Sequence, residues 1–250
     1  MDKEEYSKMF EMENTHWWFV GKRLMIISML KRIPGYDKDR KDLKILDLGC
    51  GTGALINRLK EYGAVVGLDF SKDALEFCVA RECGLLCCGD IQKKIPFGDE
   101  SFDLVIASDV LEHLEDDMFT VQEIYRICKK NGFVLITVPA HQFLWSEHDV
   151  ALHHRRRYRK SDLLNKVTAS GFKIEKKSYT NSFILPFLAI FRLTKRISAG
   201  SSNSGKRSDC YINFPFFINI FLISIMKLEC NLLKIINLPF GSSVVCFARK

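Results

Sequence analysis

The run Asp47-Leu48-Gly49-Cys50-Gly51-Thr52-Gly53 sets an acid two residues ahead of three glycines at alternate positions, and Asp69 follows one short segment later. Glycine lets a backbone turn tightly and approach a ligand with no Cβ in the way. An ionised carboxylate only accepts hydrogen bonds, so a single one can take both hydroxyls of a vicinal diol. A glycine-rich turn followed by such an acid suits a ribose-bearing ligand. Gly49, Gly51 and Ala54 also satisfy the dinucleotide fingerprint, with Asp69 about where its ribose-binding acid should stand. On the turn alone, a nicotinamide dinucleotide remains a competing ligand.

A second group of reactive side chains lies in the loop Trp145 to Leu163, where His148, His153 and His154 precede Arg155, Arg156, Arg157 and Tyr158. Guanidinium offers a planar, bidentate donor fork that fits phosphate or carboxylate. His153, His154, Arg156 and Tyr158 are therefore candidate contacts to an anionic substrate. The alternative is that these arginines are solvated or paired to acids elsewhere in the chain.

The elements that must position these groups follow from hydrophobic pattern. LKILDL, VVGLDF, GLLCC, FDLVIAS and FVLITVP are short apolar runs between Leu43 and Pro139, alternating with helical patterns, as in a parallel sheet covered by helices. Leu75, Cys78 and Val79 share a helical face after a capping Ser71, and Val121, Ile124, Tyr125 and Cys128 do so before Asn131-Gly132. A helix over about Ser161 to Ser170 leads to a sixth strand near Phe172 to Tyr179, and Val244 to Ala248 reads as a seventh. Asp47, Asp69, Asp90 and Ser108 all fall where strands end. Open α/β sheets bind ligands there.

The acid ahead of the turn and the acid ending the second strand resemble class I S-adenosylmethionine-dependent methyltransferases. Gly89-Asp90-Ile91, the segment Phe102 to Leu114 and GFVLITVP resemble the family's next three motifs in order, so the likeness covers about residues 43 to 140. It implies a three-layer, Rossmann-like, seven-stranded sheet with helices on both faces. It implies S-adenosylmethionine as cofactor, with Asp47, Gly49, Cys50, Gly51 and Gly53 at its methionine part, Asp69 and Phe70 at the ribose, Asp90 and Ile91 at the adenine, and Ser108 beside it. ENTHWWFVGKR resembles the N-terminal cap of small-molecule members. By that likeness Trp17, Trp18 and Phe19 close the pocket, His16 and Trp18 meet the acceptor, and Arg23 meets the donor's carboxylate. HWWF and EHD…HHRRRY are similar to type-11 members found in sugar and cell-envelope biosynthesis.

Methyl transfer from a sulfonium is an in-line displacement, which asks a protein to align the acceptor, exclude water and, for a hydroxyl, take a proton. His113 is the candidate base, because an unperturbed imidazole titrates near about 6.5. Asp109, Glu112 and His113 also resemble an E-x-x-E-H arrangement that binds a divalent metal in some members, with Asp in place of the first Glu; no metal ligand is assigned from sequence.

Bulk properties narrow the setting. A chain of 250 residues accommodates one domain, divided as a helical cap (1–40), a donor-binding core (41–180 and 242–250) and an apolar insertion (181–241) broken by SAGSSNSGKRSD. FILPFLAIF and NFPFFINIFLISIM look too short and interrupted for a bilayer span of about 20 residues, so the insertion reads as a lid or a membrane-interface segment aided by Arg192, Lys195 and Arg196. The net charge is +7, yet residues 151–210 carry fourteen Lys and Arg against three acids, so the rest is acidic and the basic region faces something anionic. Nine cysteines without a C-x-x-C pair form no disulfide framework; Cys50, Cys78, Cys87, Cys88, Cys128 and Cys246 read as buried thiols. The acidic start MDKEEYSKMF shows no secretory signal, and a cytoplasmic protein, peripheral to the inner membrane face, is expected. The expected reaction is methylation of a hydroxyl on an anionic or lipid-linked sugar or related metabolite, with no nucleic-acid partner. An RNA methyltransferase and a non-catalytic donor-binding scaffold are the alternatives.

Overall fold

The computed structural model describes residues 3–33, 42–187 and 214–250. The expected linker SAGSSNSGKRSD and the basic residues Arg192, Lys195 and Arg196 lie outside the described residues. Two helices, α1 (Lys3–Met12) and α2 (Trp17–Leu30), precede the alternating core. The core runs β1 (Leu43–Leu48), α3 (Ala54–Leu59), β2 (Gly63–Asp69), α4 (Lys72–Ala80), β3 (Leu85–Cys88), β4 (Phe102–Ser108), α5 (Asp117–Ile127) and β5 (Cys128–Pro139). A short α6 (Glu147–Ala151) lies in the His- and Arg-rich loop. Then come α7 (Lys160–Ala169), β6 (Lys173–Thr180), α8 (Phe216–Leu233) and β7 (Ser243–Arg249).

All seven strands form one sheet in the order β3-β2-β1-β4-β5-β7-β6, parallel except for β7, which runs antiparallel to both neighbours. The period-two alternation of a strand divides its side chains between two faces. Leu46, Leu48, Val105, Ala107, Val134, Ile136, Val244 and Cys246 pack with Val121 and Ile124 of α5 and Leu163 and Val167 of α7. Ile45, Leu104, Ile106, Leu135, Val245 and Phe247 face the other way, against α2, α3 and the end of α8. This is the expected three-layer architecture, with near-continuous apolar strands because both faces are covered.

Helix limits follow local chemistry. Ser71 caps α4 by accepting from the Ala74 amide at 3.3 Å. His16 caps α2, its Nδ1 accepting from the Trp18 amide, so the helix begins at Trp17. The largest departure is α8. The expected run ended at Met226, but the helix continues through Lys227 to Leu233, making 18 residues of mean hydropathy 1.7, long and apolar enough by length and composition to cross a membrane. The run was expected to be too short and too interrupted for a span. In the structure Pro215 precedes the first turn, where its missing N–H costs nothing, and Asn219 turns its side chain to α2, accepting from the Trp17 amide at 2.8 Å. Met226, Glu229, Cys230 and Leu233 are buried, whereas Phe216, Phe217 and Phe221 are largely exposed. Cys88 is exposed and Cys87 half-buried, since β3 is an edge strand; the other cysteines named above are buried as expected.

The His- and Arg-rich loop is bound to the body by buried polar contacts. The Tyr158 hydroxyl donates to Asp117 Oδ2 at 2.6 Å, with the Leu111 carbonyl 3.1 Å away, and Lys166 Nζ holds Asp117 Oδ1 at 2.8 Å. Burial opposes ionisation of Asp117, but the bonds from Lys166 and Tyr158 outweigh it and hold the carboxyl below its ordinary range. A buried carboxylate that loses one donor keeps its desolvation cost. Tyr158→Phe is therefore expected to lower stability by about 1–3 kcal/mol in urea melts with an unchanged denaturant slope. An unchanged midpoint would show that this bond does not hold the loop.

Candidate functional site

The turn between β1 and α3 is built on left-handed glycines. Gly49 has φ 72° and Gly53 φ 84°, where other residues are strained. A Cβ on Gly49 would stand 2.6 Å from Val110 Cγ2, and one on Gly53 would stand 2.9 Å from Cys78 Sγ, so packing below the turn also demands glycine. Cys50 and Thr52 are buried between them.

Asp47 ends β1 almost completely buried, and its Oδ2 has no hydrogen-bond partner. Burial first, then the charges of Asp69 and Glu13, push its carboxyl up to about 7. Asp69 ends β2, next to β1 in the sheet; its Oδ2 accepts from the Gly51 amide at 2.9 Å and its Oδ1 from the Ser71 amide at 2.9 Å. Burial raises the Asp69 carboxyl despite these bonds, and each oxygen keeps a further lone pair for a ligand. Phe70 follows it, 68% exposed. Asp90 Oδ1 accepts from the Gln92 amide at 3.0 Å, Ile91 is buried, and Ser108 Oγ lies 3.0 Å from Thr137 Oγ1. The predicted donor residues of the core thus share the C-terminal edge of β1, β2, β3 and β4.

Sequence reasoning missed what covers this edge. Helix α1 packs on α4: Tyr6 hydrogen-bonds to Ser71 close to Asp69, and burial together with that charge pushes its phenol up to about 12. Met9 Cε reaches to 3.0 Å from where a Gly51 Cβ would stand, and Glu13 accepts from Thr52 and pairs with Arg81 at 2.6 Å. Arg23, half-buried, belongs to this cluster, its charge disfavoured by burial and favoured by Glu13. The available signal was the helical spacing of Tyr6, Met9, Phe10 and Glu13. Lys22 was missed as well. It pairs with Asp109, whose other oxygen accepts from Thr137 Oγ1 at 2.9 Å, tying the cap to the end of β4.

On the acceptor side, Trp18, Met25 and Met226 line a narrow cavity with Lys22, Thr137, Thr180, Asn181 and Ser243. His16 is buried beside Trp17 and Phe19, at ring separations of 5.7 and 5.9 Å. The basic loop departs from expectation. Arg156 donates to the Leu114 and Glu115 carbonyls at 2.8 and 2.9 Å and lies 3.5 Å from Asp117, while Tyr158 is turned inward to the same acid. Arg157 forms a bidentate pair with Asp149, and Arg155 meets Glu115 at 3.0 Å. Arg156 and Tyr158 bind the loop to the body through Leu114, Glu115 and Asp117 instead of standing free as an anion clamp. His153 is exposed; His154 lies inward against Asp149, its Nδ1 at 2.9 Å from Oδ1.

His113 sits with Glu112 and His154. Burial first, then His154, pulls its imidazole down to about 4, so it is neutral near pH 7 and a weak base. Glu112 is fully buried, which pushes its carboxyl up to about 8. Asp109, the third member of the E-x-x-E-H resemblance, is engaged by Lys22 and Thr137 and stands outside this group.

The family described as "Methyltransferase domain" matches residues 46–136. A protein of Methanocaldococcus jannaschii is 32% identical over 164 residues, covering 64% of this chain and 66% of the relative. A ubiquinone biosynthesis O-methyltransferase of Pelagibacter ubique is 33% identical over 109 residues, 42% of this chain and 45% of the relative. The matches thus span from about half to just under two thirds of these relatives' lengths. In fold, the chain is similar to phosphoethanolamine N-methyltransferase 2 of Haemonchus contortus, solved with S-adenosyl-L-methionine, at TM-score 0.60 and 18% identity over 90% of this chain and 51% of that one. The matched segment, residues 46–136, spans the strands that carry both buried acids, and in it the chain carries a methyltransferase domain of the class I, S-adenosylmethionine-dependent kind.

Proposed function

We propose that the protein transfers a methyl group from S-adenosylmethionine to a hydroxyl of an apolar, membrane-associated small molecule, of the lipid-linked or quinone type. The observation that carries the donor half is the buried, unpartnered Oδ2 of Asp47 beside the left-handed glycine turn. A carboxylate oxygen desolvated without a partner is costly, and a ligand's ammonium group removes that cost. When bound, the donor supplies an electrophilic methyl on sulfonium. Asp47 and the turn hold its amino-acid end, Asp69 takes the ribose diol, and Ile91 beside Asp90 walls the adenine. Tyr6 and Met9 on α1 close the turn against water.

The acceptor half rests on the cavity under α2 and α8 and on the apolar face of α8. Trp18, Met25 and Met226 give the cavity apolar walls, while Thr137, Thr180 and Asn181 supply polar groups that orient a hydroxyl. Phe216, Phe217 and Phe221 project from α8 beside it, a face suited to the headgroup region of a membrane. The quinone-pathway relative supports this class of acceptor. Membrane contact would place the protein at the inner, cytoplasmic face.

Two outcomes test this reading. Pairing with an ammonium needs ionised Asp47, so donor affinity should rise about tenfold between pH 6 and pH 8, with proton uptake by buffer at the lower pH, and Asp47→Asn should weaken binding and flatten the profile. In the donor-free protein the sign is opposite. A carboxyl raised on folding contributes stability below about pH 4 that is lost as pH rises through about 7, so Asp47→Asn should be the more stable protein at pH 8. Calorimetry and thermal melts across this range measure both, and a pH-independent affinity would remove Asp47 from the donor site.

For the acceptor, donor with a labelled methyl is incubated with total cell extract and then partitioned. Label is expected in the organic-soluble fraction and should fall when Phe217 and Phe221 are both changed to Asp. Label in RNA would favour the RNA-methyltransferase alternative. Donor binding with no transfer to any fraction would favour a non-catalytic scaffold.

A further inference from the structure

Glu112 sits in the short turn after β4, fully buried, and neither of its side-chain oxygens has a hydrogen-bond partner. Two imidazoles face it. His154 Nε2 lies 3.9 Å from Glu112 Oε1, and the His113 ring stands edge-on to His154 with centroids 4.8 Å apart. One donor atom from each of the three residues lies within 4.8 Å of the other two. We propose that Glu112, His113 and His154 form a binding site for a single divalent transition-metal ion of the zinc class.

The surroundings orient both rings as they are oriented in metal sites. A histidine ligand commonly gives its other ring N–H to a carboxylate or a carbonyl, which fixes the tautomer and leaves the inner nitrogen's lone pair for the metal. His154 Nδ1 is held by Asp149 at 2.9 Å, and the His113 ring bonds to the His153 backbone carbonyl. Asp149 is itself fixed by a bidentate pair with Arg157, at 2.8 and 2.9 Å, and by the Ser146 amide at 2.8 Å. This three-layer arrangement accounts for the placement of Arg157 and for the EHD…HH spacing, which donor binding does not use. The third ligand is His154 from the loop, while Asp109 is taken by Lys22.

Metal–ligand distances of about 2.0–2.2 Å in a tetrahedron place ligand atoms about 3.4 Å apart. The three atoms therefore close by about 1 Å or less each. Two imidazoles and one carboxylate favour zinc-class ions over magnesium or calcium, which take oxygen ligands. Three protein ligands leave a coordination position open, as in sites where the metal polarises an oxygen. That an acceptor hydroxyl takes this position rests on the methyltransferase reading, whereas metal binding does not.

The test is titration of the full chain, stripped with chelator, with Co²⁺ followed by absorption and then with Zn²⁺ as competitor. One equivalent of Co²⁺ is expected to give d–d bands without thiolate charge transfer, to be displaced by one equivalent of Zn²⁺, and to raise the melting temperature. His154→Ala and His113→Ala should weaken binding at least about 100-fold and Asp149→Asn about 10–100-fold. Where an alanine variant fails to fold by circular dichroism, Glu112→Gln keeps the side chain's shape and gives the same reading. No saturable binding, thiolate bands indicating Cys50 and Cys78, or affinity unchanged by the cluster variants would overturn the site. Donor affinity of the stripped protein is independent of these outcomes, so failure here is distinct from failure of the methyltransferase reading.

Discussion

Two carboxylates, Asp47 and Asp69, end neighbouring parallel strands and are buried together with a glycine turn between them. Desolvation raises both, the charge of Asp69 raises Asp47 further, and Asp47 keeps an oxygen with no partner. Much of the structure answers this constraint. The sheet must be parallel here so that both acids arrive at one edge, the turn must be glycine so that the backbone passes between them, and Asp69 must spend its own lone pairs on the Gly51 and Ser71 amides to hold that turn. The cost of leaving Asp47 unsatisfied is consistent with a polar, cationic ligand group completing the site.

The same edge explains the cap. Helix α1 brings Tyr6, Met9 and Glu13 over the turn, and α2 sends Lys22 to Asp109 at the end of β4. Helix α8 then lies on α2, with Met226 filling the space beside Gly21 and Asn219 bonding the Trp17 amide. Cap and insertion thus form one cover, although Trp17 and Asn219 stand 202 residues apart in the chain. The cavity beneath it is walled by both, which couples any opening for an acceptor to the packing of α8.

How far the sequence spoke depended on the range of the interactions. Strand limits were legible almost to the residue at β1 and β4, since an apolar run buried on both faces has sharp ends, and the glycine turn was legible because left-handed backbone at Gly49, Gly51 and Gly53 demands that residue type. The roles of Arg156 and Tyr158 were not. A guanidinium or a phenol reads as a ligand contact until its partners are known, and Glu115 and Asp117 lie about forty residues away in sequence. Helix α8 was misread because its apolar run ends at Met226 while the helix continues through Lys227 and Glu229 to Leu233. Glu112 was legible only as part of the E-x-x-E-H resemblance, and its complete burial depends on the packing of the loop after β5, to which no local pattern points.

The account is tested most directly by calorimetric titration of the full chain and of Asp69→Ala with S-adenosylmethionine, S-adenosylhomocysteine and NAD in parallel. It predicts that both adenosyl-sulfur compounds bind the unaltered chain with a stoichiometry of one, that NAD does not, and that Asp69→Ala loses about 100-fold in affinity while remaining folded. Binding of NAD alone, or undiminished donor affinity in Asp69→Ala, would contradict it.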